Sequence, residues 1–386
     1  MKYLSVCSLY AMLLILLVIP CCGKSDIYML YPSEKSPSTT DPADTETETE
    51  SDSDSTETIQ SPEVFHAVWG SHPDNIWVAG PCEPPLIHWN GSNWQEIALE
   101  EAAPNIFDLS GTGPGHVNAV GNCPIVPEPD NEPYDSYSAC ILSHTISAEP
   151  EQWDQVVQLP LQGTNFISTW SVSLVDTYAV GTQRIFRHNG TIWSPIALPS
   201  AVSSWPSFTA VNGTAGNNII VAGIRGECPG NPSEMCGGLI RWDGAIWFLL
   251  NNTEIDWLNF AVPNAIDFGD STLFVVTNKG WFYTFAPMAV SAEQVHTESL
   301  EAIWTNGSDE VWVTGRNGFV ARLEEDTWTD AHLSEDLNFF DIWGHKSDGD
   351  SPTQIWLVGG TRIGETEWSP IVLHFDGVVW TQSYPY

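Results

Sequence analysis

Short apolar segments rich in aromatic residues recur along most of this chain, and turn-forming residues separate them. Each repeating unit contains four such segments. The first is centred on an aromatic residue, as in Val68-Trp69 and Ile342-Trp343, and the second alternates and ends in glycine, as in residues 76–80. Segments of this length and composition, bounded by glycine, asparagine and aspartate, predict β-strands.

The third and fourth segments of a unit are joined by an Asn-Gly or Asp-Gly dipeptide, and a tryptophan follows three residues after the glycine. Because these residues tolerate positive φ at both turn positions, the pattern predicts a tight β-hairpin. The instances are Asn90-Gly91 with Trp94, Asn189-Gly190 with Trp193, Asp243-Gly244 with Trp247, and Asp376-Gly377 with Trp380.

Seven units can be counted, and they begin near residues 64, 105, 165, 207, 257, 300 and 337. Seven repeats of four antiparallel strands, each about 35–55 residues long, predict an all-β chain folded as a β-propeller. Tryptophans at equivalent positions are expected to pack between the blades. Six or eight blades are the alternatives, because the second and fifth units are irregular, and an open solenoid is the other architecture.

The repeat resembles the Trp-Gly…Val-Trp-Ala-Val-Gly…His-Trp-Asp-Gly…Trp pattern of Trp-rich repeat lipoproteins from myxobacteria and related bacteria. The resemblance covers nearly all of residues 64–386 and is strongest in units one, three, four, six and seven. It implies a propeller and an exported location. It implies no activity, because that family is largely uncharacterised.

The N-terminus predicts export. Lys2 precedes an apolar run over residues 11–19, which is too short to span a bilayer and which fits a signal peptide over residues 1–21. The stretch around Cys21 and Cys22 resembles a bacterial lipobox, whose cysteine carries a diacyl anchor and an amide-linked chain such as palmitate. Cys22 is the favoured site, because Pro20 would occupy the cleaved bond if Cys21 were modified. An ordinary cleaved signal is the alternative.

Residues 22–63 are predicted to be a disordered tether, and residues 64–386 the propeller. The tether is rich in Ser, Thr, Asp and Glu and has no apolar periodicity, so it lacks the means to form a core. No aspartate follows either candidate cysteine, which by resemblance to known sorting rules favours the outer membrane of a bacterial cell envelope. The net charge of −37 makes nucleic acid an unsuitable partner.

Long insertions fall between the second and third strands of several units, and these loops share one face of a propeller with the connections between blades. The five cysteines of the propeller lie in three of these insertions: Cys82, Cys123, Cys140, Cys228 and Cys236. Export places them in an oxidising compartment, so disulfides are expected. Cys228–Cys236 is the clearest pair, and one further bond among the other three would leave one cysteine over.

The same face is predicted to carry aromatic and acidic residues that do not fit strand positions: Trp205, Trp257, Tyr134, Tyr137, Glu128 and Asp130. Aromatic rings beside carboxylates can bind sugars, cations or a basic peptide. The alternative for Trp205 and Trp257 is packing between blades. The disulfides either order this surface for binding or only stiffen its loops.

No catalytic residues, metal ligands or cofactors are predicted. The sequence contains no Gly-x-Ser-x-Gly, no His-Glu-x-x-His and no phosphate-binding glycine loop. His88 and His374 share one repeat position with Arg187, Arg241 and Arg322, which indicates a structural role for this position.

The sequence therefore predicts a non-catalytic envelope lipoprotein whose propeller binds a protein or glycan through the cysteine-bearing face. A glycan hydrolase or lyase with carboxylates in the central channel is the first alternative, since propellers also host enzymes. A structural component of an envelope complex is the second. The oligomeric state is left open.

Overall fold

The computed structural model describes residues 20–21, 24–25, 63–99, 104–125, 137–145, 153–159, 163–228, 231–250, 261–287, 289–346, 352–364 and 366–385. The chain divides into two units, Met1–Ser61 and Pro62–Tyr386. In the first unit, strands β1 (Pro20–Cys21) and β2 (Lys24–Ser25) pair antiparallel. Cys22 lies outside the described residues. No helix in the described part of the chain is long and apolar enough to cross a membrane.

The second unit is a seven-bladed β-propeller, as the repeat predicts. Each blade is a meander of four antiparallel strands that are consecutive in sequence. The first strand of every blade contacts the first strands of both neighbouring blades, so these seven strands form the inner ring. The strands of blades one to seven are β3 (Ala67–His72), β4 (Asn75–Ala79), β5 (Leu86–Trp89) and β6 (Trp94–Glu96); β7 (Asn105–Gly113), β8 (His116–Pro124), β9 (Tyr137–Thr145) and β10 (Trp153–Gln158); β11 (Phe166–Ser173), β12 (Asp176–Gly181), β13 (Arg184–His188) and β14 (Trp193–Pro195); β15 (Ser207–Ala215), β16 (Asn218–Cys228), β17 (Asn231–Trp242) and β18 (Trp247–Leu249); β19 (Pro263–Gly269), β20 (Thr272–Thr277), β21 (Trp281–Ala286) and β22 (Ala289–Gln294); β23 (Leu300–Thr305), β24 (Glu310–Gly315), β25 (Val320–Glu324) and β26 (Thr327–Asp330); and β27 (Leu337–His345), β28 (Gln354–Arg362), β29 (Trp368–Phe375) and β30 (Trp380–Tyr384).

The repeated tryptophan of the second strand packs between blades, as expected from the sequence. Trp77 of blade one is 1% exposed. Its ring lies 5.1 Å from His144 and 5.3 Å, edge-on, from Trp153, both in blade two. On its own blade it stacks on His88 with ring centroids 4.0 Å apart. The large aromatic area buried in this way makes these rings a main source of cohesion between blades.

The glycine that ends the second strand is required by close approach of the first strand. A Cβ atom added there would lie about two ångströms from a backbone oxygen, far inside contact distance. The oxygens that it would meet belong to Val64 (2.2 Å from Gly80), Asn105 (1.9 Å from Gly121), Asn165 (2.1 Å from Gly181) and Asn338 (1.9 Å from Gly359). The repeated glycine therefore marks the place where the end of the second strand packs directly against the start of the inner strand.

The Asn-Gly and Asp-Gly turns differ from the predicted hairpin. Only the glycine has positive φ, 86° at Gly91 and 97° at Gly244. The preceding side chain instead closes a longer turn: Asn90 Oδ1 accepts the N–H groups of Ser92 and Asn93 at 3.1 and 3.0 Å. The acceptor oxygen explains why either Asn or Asp serves at this position.

Blade seven and blade one meet without exchanging a strand. Phe65 N–H donates to the Gly359 carbonyl at 3.1 Å, and Trp94 Nε1–H donates to Ser383 Oγ at 3.1 Å. Side-chain packing and a few hydrogen bonds therefore close the ring at this seam.

Candidate functional site

Two disulfide-bonded hairpins stand on the face that the sequence singles out. Cys228–Cys236 forms as expected, and Cys123–Cys140 is the second bond. Cys82 is buried, and its thiol donates to the Pro84 carbonyl at 3.4 Å.

The four bonded cysteines lie in strands, whereas the sequence placed them in loops. Antiparallel pairing between β8 and β9 continues to Pro124 opposite Tyr137, and pairing between β16 and β17 continues to Cys228 opposite Asn231. The insertions therefore lengthen existing hairpins, whose backbone groups stay paired along the ladder.

The two stapled hairpins belong to blades two and four. Between them, blade three turns from β12 to β13 with only Thr182 and Gln183, and Gln183 adopts a φ of 54°. Two disulfide-braced projections therefore flank a blade with a short turn. Bracing of this kind reduces the entropy that a surface loses when a partner binds.

Trp205 and Tyr137 are buried, which corrects their expected role in contacting a ligand. Trp205 is 2% exposed, and a Cβ atom added to Gly238 would lie 2.5 Å from its ring. Its indole fills space in the core cluster shared by blades three and four, which is the alternative that the sequence left open. Tyr137 is 5% exposed in β9. Tyr134, Glu128, Asp130 and Trp257 lie outside the described residues.

Three aspartates on inner strands form a feature that the sequence analysis missed. Each carboxylate accepts two backbone N–H groups, one from the following residue and one from the inner strand of the next blade. The donors across the blade boundaries are Thr169 to Asp108, Thr305 to Asp267, and Val68 to Asp341, each at 2.8 Å. A polar residue inside an otherwise apolar first segment, as in Phe340-Asp341-Ile342, is the signal that could have found them.

These contacts satisfy a specific need of the fold. The inner strand is an edge strand of its blade. The N–H groups that face away from the second strand therefore have no strand partner within the blade. Serines supply the same acceptor elsewhere: Ser110 Oγ accepts Ser171 N–H at 2.8 Å, and Ser168 Oγ accepts Val211 N–H at 3.2 Å. The aspartates therefore join neighbouring blades.

Burial controls the electrostatics of the inner ring. It raises the pKa of Asp108 and of Asp267 to about 6. Burial and the negative charge of Asp108 raise the pKa of Asp341 well above its ordinary value. His66 stacks on Phe340 with centroids 4.7 Å apart, and burial lowers its pKa to about 4. The inner ring near blade one thus combines a neutral histidine with two carboxyl groups that resist joint ionisation.

The repeat position of His88 and His374 is structural, as interpreted from the sequence. In blades one, three, six and seven, the side chain at this position forms a hydrogen bond or salt bridge with the first residue of the second strand. The pairs are His88 Nε2 with Asn75 Oδ1 (2.6 Å), Arg187 Nε with Asp176 Oδ1 (2.6 Å), an Arg322 guanidinium nitrogen with Glu310 Oε1 (2.9 Å), and His374 Nε2 with Gln354 Oε1 (3.2 Å). Within the described ranges, no group of three His, Cys, Asp or Glu side chains is placed to hold a metal ion.

Comparison with known proteins shows the fold alone. No family model and no curated protein matches the chain. The chain is similar to the solved structure of YCF48 bound to D1 peptide, with 13% identity, a TM-score of 0.53, and coverage of 78% of this chain and 91% of that one. YCF48 from Cyanidioschyzon merolae has 12% identity and a TM-score of 0.55 over 82% and 96% of the two chains. The WD40 β-propeller domain of Doa1 has 9% identity and a TM-score of 0.55 over 76% and 89%.

Proposed function

We propose that this protein is a non-catalytic, lipid-anchored envelope propeller that binds a protein partner through its disulfide-bearing face. The observation that carries the proposal is the pair of braced hairpins on blades two and four, with the short turn of blade three between them. The partner is taken to be a protein because one similar propeller is solved with a bound peptide.

The hairpin of blade four displays side chains suited to a protein contact. Met235 is 42% exposed beside Cys236, and Arg225 and Glu227 on the facing strand are also exposed. An exposed methionine adapts its shape to a partner, while flanking charges of both signs favour a specific orientation. The main chain beneath them is fixed by the ladder and by the Cys228–Cys236 bond.

Export and anchoring rest on the N-terminal sequence. The apolar run over residues 11–19, the Cys21-Cys22 pair and the acidic tether support a lipoprotein at the outer membrane, lipidated at Cys22. Replacing both cysteines by serine should move the protein from the membrane fraction to the soluble fraction. Retention of the double variant in membranes would contradict the anchor.

Site-specific photo-crosslinking tests the binding face. A photoreactive residue at Met235, in full-length protein in intact envelopes, should yield one defined protein adduct. The same residue at Val378, which is 79% exposed on a turn of the opposite face, should not yield it. The adduct should also weaken when Cys228 and Cys236 are both serine. Equal adducts from both positions, or none, would exclude this face.

A glycan-active enzyme is the second candidate, and it is favoured by the carboxyl groups of Asp108 and Asp341, since the charge of Asp108 raises the pKa of Asp341. Glycosidases use two carboxyl groups with separated pKa values. Against it, each carboxylate already holds two N–H groups: Leu109 and Thr169 for Asp108, and Val68 and Ile342 for Asp341. Turnover of an envelope polysaccharide that is lost in Asp108→Asn would replace the binding proposal with this one.

A further inference from the structure

The cleft between blades four and five departs from the repeat at one position. In four other blades a tryptophan or tyrosine of the second strand occupies this position: Trp77, Tyr178, Trp312 and Trp356. Ile220 takes its place in blade four, paired in register with Arg241 of the third strand. The ring that fills the equivalent position elsewhere is therefore replaced by a smaller aliphatic side chain.

In those four blades the ring covers the cationic or histidine side chain of the third strand. The four contacts are Trp77 with His88 at 4.0 Å, Arg187 over Tyr178 at 5.5 Å, Arg322 over Trp312 at 5.5 Å, and Trp356 with His374 at 4.2 Å. For Arg187 and Arg322, such a contact stabilises the guanidinium against an aromatic face. Arg241 lacks this contact because Ile220 offers no ring.

Arg241 also lacks the polar partner that the other blades provide. Asn218 occupies the place of Asp176 and Glu310 at the start of the second strand, and its amide donates instead to Thr214 Oγ1 at 2.8 Å. Nε of Arg241 is buried and meets no acceptor among the described residues. Asp243 attracts this guanidinium, but it forms neither a salt bridge nor a hydrogen bond with it. A guanidinium with no hydrogen-bonded partner is costly in a partly desolvated wall, which favours binding of an external anion.

Two carboxylates lie near this guanidinium, and both have partners of their own. Asp243 Oδ1 accepts the N–H groups of Ala245 and Ile246 at 2.8 and 2.9 Å. Asp270, on the opposite wall, accepts from the N–H of Ser308 at 3.1 Å and from its hydroxyl at 3.2 Å. The described residues therefore leave the charge of Arg241 without a salt bridge.

The space in front of Arg241 is a cavity of about 790 Å³ with mostly apolar walls. Phe248 comes from the outer strand of blade four, and Phe268 and Phe285 come from blade five. The equivalent cleft between blades seven and one, where Trp356 is present, encloses about 330 Å³. The larger cavity falls within the range of about 300–1,000 Å³ that is typical of small-molecule sites.

We propose that this cleft binds a small aromatic carboxylate, with the carboxylate on Arg241 and the ring among Phe248, Phe268 and Phe285. Guanidinium pairs with carboxylate through two parallel hydrogen bonds, and the three phenylalanines offer faces and edges to a planar ring. The cleft opens toward the turns between first and second strands. It is therefore separate from the disulfide-bearing face and independent of the function proposed for that face.

Titration of full-length protein with 2-naphthoate tests the proposal, and 2-naphthamide serves as the neutral probe. Saturable binding of 2-naphthoate is expected, with 2-naphthamide at least about tenfold weaker because it cannot form the charged pair. Arg241→Gln should weaken 2-naphthoate by at least about tenfold. Arg187→Gln is the matched control and should leave binding unchanged, because Arg187 is already paired with Asp176.

Ile220→Trp introduces the tryptophan that blades one, six and seven carry at this position, and it should abolish binding by filling the cleft and covering Arg241. If that variant folds poorly, the comparison of Arg241→Gln with Arg187→Gln decides alone. Equal affinity for the acid and the amide, absence of 2-naphthoate binding, or equal loss in the two arginine variants would overturn the proposal.

Discussion

Replacing Asp267 by serine will make the stability of the propeller less sensitive to pH between about 4 and 7. The carboxylate accepts N–H groups of Phe268 and Thr305, each at 2.8 Å, and the amide of Asn212 at 3.0 Å. Burial nevertheless raises its pKa to about 6 from the ordinary 3.8, with these hydrogen bonds opposing the rise. Between these two values the native protein holds a proton that the unfolded chain has released. The stabilisation is therefore complete below about pH 4 and is lost as the pH rises through 6.

The size of the effect follows from the two pKa values. A difference of two units corresponds to about 3 kcal/mol of unfolding free energy, and partial contact with water reduces this to about 1–2 kcal/mol. Serine is the suitable replacement, because Ser110 at the corresponding position of blade two accepts Ser171 N–H at 2.8 Å without titrating. Loss of the contacts to Asn212 and Phe268 adds a cost of about 1 kcal/mol each. The part of this cost that depends on pH is already contained in the pKa of about 6, because both contacts lower that pKa.

Urea denaturation followed by tryptophan fluorescence, at closely spaced pH values, measures the difference in unfolding free energy between wild type and Asp267→Ser. That difference should shrink by about 1–2 kcal/mol as the pH rises from about 4 to about 7. Asp243→Ser is the control. The N–H groups of Ile246 and Ala245 lower the pKa of Asp243, so the pH dependence of the wild-type-to-serine difference has the opposite sign at this position. A wild-type-to-serine difference at position 267 that stays constant within about 0.5 kcal/mol would refute the assignment.

Three further variants test packing between blades and bracing within them. Trp77→Ala should lower the free energy of unfolding by about 3–5 kcal/mol, because the buried indole packs on rings of blade two; a loss below about 1.5 kcal/mol in urea denaturation would contradict this. Loss of the Cys123–Cys140 bond as a double serine variant should cost about 3 kcal/mol and loss of Cys228–Cys236 about 2.5, since the sequence separations are 17 and 8. Unfolding free energies from urea denaturation that show an equal or larger loss for the Cys228–Cys236 variant would contradict loop entropy as the cause.

The blades could be predicted from the sequence because each repeated residue type has the same packing role in every unit where it occurs. Gly80 and its counterparts end the second strand where the first strand crosses, and Trp77 and its counterparts fill the space between blades. The partners of these residues lie in other strands, but the same residue type recurs at the same place in successive units, so the sequence shows the pattern without the partners.

The contacts that distinguish one blade from another could not be predicted in the same way. The carboxylate of Asp341 accepts a hydrogen bond from the N–H of Val68, 273 positions away. The sequence around either residue does not indicate the other as its partner. Trp205 fits no repeat position, so its burial depends on Gly238 in a distant part of blade four. Alignment of the repeats shows that Ile220 stands where four other blades have Trp or Tyr. The consequence of this replacement can be seen only in the structure, where Arg241 lies beside the cavity.

The seam between blades seven and one has a consequence for how this architecture tolerates rearrangement. Phe65 and Tyr384, near the two ends of the propeller chain, have ring centroids 5.6 Å apart, and no blade borrows a strand from another. A short linker across the seam would allow circular permutation, with new ends placed between any two blades. Each sheet consists of consecutive strands, so duplication or deletion of one whole repeat would break no hydrogen-bonded sheet of another blade.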